Sequence, residues 1–108
     1  MKTSYKFGET FDLTKQVSVS DEKVQFKNVF ETENGAVSLL AFKAGQKLAT
    51  HIAPFEVMVT VLEGEINFVM NDKAYAIKAN EFFLMGADTP HSVEATTDAK
   101  VMLFKLKD

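Results

Sequence analysis

Only two histidines occur in this 108-residue chain, and each stands close to a proline: His51 in "THIAPFEVM" and His91 in "GADTPHSVEA". Imidazole is the side chain whose charge changes nearest neutral pH, and it is the commonest nitrogen ligand of protein-bound metals. Two neutral imidazoles brought together would suit zinc, iron, nickel or copper. Without a metal, the same pair would anchor a small molecule or a water by hydrogen bonds. A third reading makes them satisfied structural side chains. A divalent site usually takes three protein ligands, or two with water and substrate completing the shell. Glu56 is the carboxylate that would complete such a shell, and it is also the candidate general base. No spacing in the chain supports a Ser-His-Asp arrangement.

Composition removes several classes of function. Cysteine is absent, so disulfides, thiolate ligands and cysteine nucleophiles are excluded. All 12 basic residues are lysines, spread along a chain of net charge −3. Without arginine there is no planar fork for phosphate or guanine, and nucleic-acid binding is not expected. The five glycines stand apart, so no phosphate-cradling loop is present. No apolar run reaches the roughly 18 residues of a membrane-spanning helix. The polar opening "MKTSYKFGET" has no apolar leader segment. A cytoplasmic protein with no membrane contact is the expectation.

The elements that must position the histidines read as strands. Residues 1–22 are polar and aperiodic, an N-terminal arm, and the patterned domain runs from 23 to 108. Turn signals then recur at Asn34-Gly35, Glu63-Gly64, Asn71-Asp72, Ala79-Asn80, Gly86 to Pro90 and Thr96-Thr97-Asp98, with no long helical period between them. Short apolar runs separated in this way predict an all-β sandwich or small barrel in one domain. Asn34-Gly35 predicts a hairpin tip, because both residues tolerate positive φ. In "EVMVTVL", Val57, Val59 and Val61 alternate with Met58, Thr60 and Leu62, so the strand needs cover on both faces: a core on one, a second sheet or a partner subunit on the other. Phe42, Phe55, Phe68, Phe82, Phe83 and Phe104 are expected in the core. Met58, Met70, Met85 and Met102 are expected as gap-fillers.

Gly45, five residues, His51, and then a strand ending at Gly64 resemble the first motif of the cupin superfamily. "ANEFFLMGADTPHSVEA" resembles the second motif in outline, with His91 at its histidine. The resemblance implies a jelly-roll β-barrel (a double-stranded β-helix), commonly a homodimer. It also implies metal binding through three histidines and a glutamate, and dioxygenase, isomerase and decarboxylase chemistries occur on this fold. Here the pattern departs. The second histidine falls on Ala53 and the glutamate on Val57. In the second motif Asn80 and Asp88 stand for glycines, Gly86 for a proline and Ala95 for an asparagine. Glu56 is one residue from the expected carboxylate, and a one-residue slip in a strand turns a side chain to the other face. Only a bulge near Pro54-Phe55 would return it. The expectation is a small-molecule binder whose pocket holds His51 and His91, with Glu56 or water completing a metal shell. The alternatives are a metal-dependent small-molecule enzyme, a metal-free binding module, and a dimerising domain without a ligand.

Overall fold

The computed structural model describes residues 1–108. Nine strands run in chain order: β1 (Gln25–Thr32), β2 (Gly35–Phe42), β3 (Lys47–His51), β4 (Glu56–Glu63), β5 (Glu65–Met70), β6 (Lys73–Lys78), β7 (Phe82–Met85), β8 (His91–Ala95) and β9 (Ala99–Leu106). They form two antiparallel sheets, one ordered β1-β2-β9-β4-β7 and the other β3-β8-β5-β6. The chain is all-β and a single domain, as the turn spacing implies. No helix is long and apolar enough to cross a membrane.

The turn residues explain where the chain changes sheet. β4 belongs to the five-stranded sheet and β5 to the four-stranded one, with only Gly64 between them. Gly64 takes φ +79°, and a Cβ there would run into the carbonyl of Asp98, so only glycine makes this corner. The Thr96-Thr97-Asp98 turn closes over it, with Thr97 Oγ1 accepting from the Glu65 N–H at 3.0 Å. Asn71 and Asp72 both take positive φ, 54° and 61°, as a two-residue hairpin of twisted strands requires.

The expected hairpin at Asn34-Gly35 exists, but its tip is one residue earlier. Thr32 pairs with Gly35, which leaves Glu33 and Asn34 as the turn, and neither Asn34 nor Gly35 has positive φ. Gly35 is needed for a different reason: β9 packs so close that a Cβ would strike the carbonyl of Lys105.

The period-2 alternation of the inner rows fills the space between the sheets. Val57, Val59 and Val61 of β4 meet Leu40, Phe42, Val101, Ile66, Phe68 and Val93 in a single cluster of 13 buried residues. Each fully buried aliphatic or aromatic side chain contributes about 1.5–3 kcal/mol on transfer from water. Part of the outer face of the larger sheet is covered by the chain itself. The arm makes a short 3₁₀ turn at Leu13–Lys15, and Val17, 6% exposed, packs on Leu39 and Ala41 with Leu62 and Met102 alongside. Gln46 Nε2 donates to the Ser20 carbonyl at 2.7 Å, and Lys2 and Glu31 exchange two backbone hydrogen bonds at 2.8 and 2.9 Å. The arm is therefore tied down at Lys2 and Thr3 and again from Thr14 to Ser20, with residues 6–13 exposed between them.

Phe82 corrects the expectation of a buried aromatic: it is 63% exposed. On the short edge strand β7 its parity matches Leu84, which points outward, while Phe83 and Met85 pack inward.

Candidate functional site

The smaller sheet brings the two histidines together. His51 ends β3, His91 begins β8, and the two are directly opposed in the antiparallel register. Their ring centroids lie 4.1 Å apart with the planes tilted by 58°. The segments flanking them are pinned by a backbone bond, with Asp88 N–H donating to the Ala53 carbonyl at 2.9 Å. Asp88 makes that approach at φ +62°, and Asn80 takes φ +70°, so both occupy the left-handed conformation of the glycines they stand for.

Each imidazole is oriented in the same local way. The Nδ1–H of His91 donates to the Thr89 carbonyl at 2.8 Å, and that of His51 donates to the Ala49 carbonyl at 3.0 Å. A carbonyl only accepts, so each Nδ1 carries a proton, and in a neutral ring the lone pair is then on Nε2. His91 is buried and stacks on Phe68, with centroids 5.3 Å apart and planes within 11°. Burial lowers its pKa; the Thr89 bond opposes this and the neighbouring His51 adds to it. His91 is therefore neutral at pH 7. His51 is exposed at its outer edge.

Both rings line a cavity of about 320 Å³ between the sheets. Of its 18 lining residues 15 are hydrophobic, and the exceptions are His51, His91 and Lys105. Ala53 and Val57, at the motif positions of the second histidine and the glutamate, both face this cavity. The backbone frame of the motif is thus retained while two of its four donors are replaced by apolar groups.

Glu56 is not brought to the histidines. β4 pairs in regular register from Glu56 to Val61, Val57 takes the inward position, and Glu56 is exposed on the opposite face, beside Met58, Leu84 and Leu106. No bulge returns it. Nowhere in the chain do three His, Cys, Asp or Glu side chains converge on one point. The His51–Glu56–His91 set is therefore not assembled. Two imidazoles without a third protein donor, sharing a cavity with an ammonium group, do not fit a tightly held transition metal.

Lys105 is the cavity residue that the sequence reading missed. The signal was present: in "KVMLFKL" it shares parity with Val101 and Leu103, and a lysine on the apolar row of a strand is unusual. Its register partners are Ala36 on β2 and Val57 on β4.

A family description of the cupin domain matches residues 38–106. The chain belongs to the cupin family. Among solved structures, an RmlC-like cupin protein from Desulfovibrio desulfuricans is 32% identical, with a TM-score of 0.80 and coverage of 91% of this chain and 95% of that one. A cupin 2 conserved barrel domain protein from Leptotrichia buccalis is also 32% identical, with a TM-score of 0.86; the match covers 90% of this cupin and 47% of that chain. A conserved protein of unknown function from Streptococcus pyogenes superposes with a TM-score of 0.90 at 20% identity, over 100% of this cupin and 96% of that chain, which speaks to the fold alone. No protein of curated function matches.

Proposed function

We propose that this cupin binds a small molecule with an apolar body in the cavity between its sheets, held at one end by His51 and His91. The observation that carries the reading is the paired imidazoles, fixed by backbone carbonyls so that neither Nε2 has a partner in the protein, in a hollow whose only other polar lining residue is Lys105. Two acceptors side by side favour a hydroxyl or N–H donor on the guest. The volume is at the small end of the roughly 300–1,000 Å³ range of ligand pockets. The binding is read as metal-free, since only two donors converge.

The test uses protein purified without chelator and without a nickel column. Elemental analysis is expected to give well under one transition-metal ion per chain; close to one ion would overturn the metal-free form and favour the metal-dependent enzyme. Thermal melts are then run with small aromatic and aliphatic alcohols. Binding raises Tm by mass action, and His51→Ala is expected to remove the rise. A rise of the same size in His51→Ala would refute the role of the histidine pair.

We also propose a homodimer through the open part of the outer face. Beyond the reach of the arm, Leu84 and Leu106 are 67% and 66% exposed and flank a groove with Met58 and Phe104. This groove ends at β7, an unpaired sheet edge where Phe82 is also exposed. A second copy would cover both the edge and the patch. Light scattering after gel filtration should give twice the 12.0 kDa chain mass, and Leu84→Lys should give the single-chain mass. A cytoplasmic setting accords with the absence of cysteine.

A further inference from the structure

The cavity's third polar residue has no partner within the protein. Lys105 forms no ion pair and no side-chain hydrogen bond; its Nζ lies 5.4 Å from the centre of the Phe26 ring, which is itself a cavity wall. The one carboxylate that acts on it, Glu31, is already engaged, by Lys2 Nζ at 3.7 Å and by the Asn28 side-chain amide at 3.4 Å. Burial lowers the Lys105 pKa, with Glu31 only partly opposing the effect. The Lys105 side chain is half-buried, and no protein group offers its ammonium a hydrogen bond. Cross-strand neighbours at this level are Ala36 and Val57, and neither can satisfy it.

We propose that Lys105 is the anion anchor of the cavity and that the natural guest is an amphiphilic monocarboxylate, its carboxylate on Lys105 and its apolar body along Phe26, Phe42, Phe55 and Phe68. This names the chemical class of guest for the binding function proposed above and rests on it. The cavity lining holds one lysine, two imidazoles and no carboxylate, so charge complementarity selects a single negative group. A cation–carboxylate hydrogen bond formed in an apolar hollow is among the stronger ones. The guest would satisfy the ammonium that the fold leaves without a partner.

The experiment compares matched acids and alcohols: 3-phenylpropanoate against 3-phenylpropan-1-ol, and octanoate against octan-1-ol. Affinities are measured by calorimetry for the full chain, for Lys105→Met and for Lys105→Arg. The acids should bind the native protein at least about tenfold more tightly than their alcohols, as expected for a hydrogen bond to a charged group. Lys105→Met should erase that preference while leaving the alcohols within about twofold, and Lys105→Arg should retain part of it. Replacing an unpaired cation with an apolar chain of similar length should not impair folding, which a thermal melt checks in the same samples. If acids and alcohols bind alike and Lys105→Met changes neither, the anion anchor is refuted and the pocket reading stands. If none of the four probes binds, both fall.

Discussion

The two imidazoles share a cavity but are held differently, so removing them should cost different amounts. His91 is 6% exposed, stacks on Phe68 at 5.3 Å and donates a 2.8 Å hydrogen bond to Thr89. The net worth of the hydrogen bond is about 1 kcal/mol, the ring pairing adds about 0.5–1.5 kcal/mol beyond area, and the void left behind adds more. His91→Ala should therefore lose about 2–3 kcal/mol, or roughly 8–12 °C at about 4 °C per kcal/mol for a domain of this size. His91→Phe keeps a ring against Phe68 and loses the hydrogen bond, and should fall between the two, near 1 kcal/mol. His51 is exposed, and its 3.0 Å bond to Ala49 is exposed to water. His51→Ala should stay within about 0.5 kcal/mol of the native protein. Urea and thermal unfolding followed by circular dichroism would measure all three. Equal losses for His51→Ala and His91→Ala would refute the asymmetry, as would a native-like His91→Ala.

Three further outcomes follow. The lowered pKa of His91 means that the unfolded chain binds its proton first as pH falls; stability should be unaffected by this group above the ordinary imidazole value of about 6.5, decline below it, and level off beneath the folded-state value. His91→Phe should remove that decline, so parallel pH–stability curves for the two proteins would count against it. Glu56→Gln should leave ligand affinity, metal content and stability unchanged, measured by calorimetry, elemental analysis and melting; a loss of binding would mean that the carboxylate reaches the cavity. Gly64→Ala forces a side chain into a φ of +79° and against the Asp98 carbonyl, and should cost upward of about 2 kcal/mol in urea unfolding, whereas Gly45→Ala, with open space around it, should cost only the backbone strain of about 1 kcal/mol.

Where the sequence was readable, side-chain parity or turn chemistry had left a mark. Val57, Val59 and Val61 alternate cleanly because one face of β4 is core, and Asn71-Asp72 and Gly64 sit where the backbone needs positive φ. The meeting of His51 and His91 was legible only through the motif spacing, since no local pattern links β3 to β8. Strand β3 itself carries almost no apolar signal, because four of its five residues are exposed. The arm was unreadable for a related reason: Val17 is buried and Val19 partly buried against the outer side of β2, a contact that periodicity along residues 1–22 does not encode. The parity of Lys105 is visible in the sequence, but a lysine near the end of a strand is ordinarily solvated, so parity alone does not mark it as a cavity residue. At Asn34-Gly35 the turn chemistry and the close approach of β9 both called for small residues, and the approach decided the register.

Strand β9 lies in the middle of the larger sheet, between β2 and β4, although it is the last strand in the chain. On the ribosome, β2 and β4 therefore emerge without the neighbour that both require, and each presents a bare ladder edge to the cell until residues 99–106 follow. Folding is consequently a closing event rather than a progressive one, dominated by pairings between distant parts of the chain and slow for that reason. A nascent chain stalled before Ala99 would be a client for chaperones and proteases instead of a partly working protein.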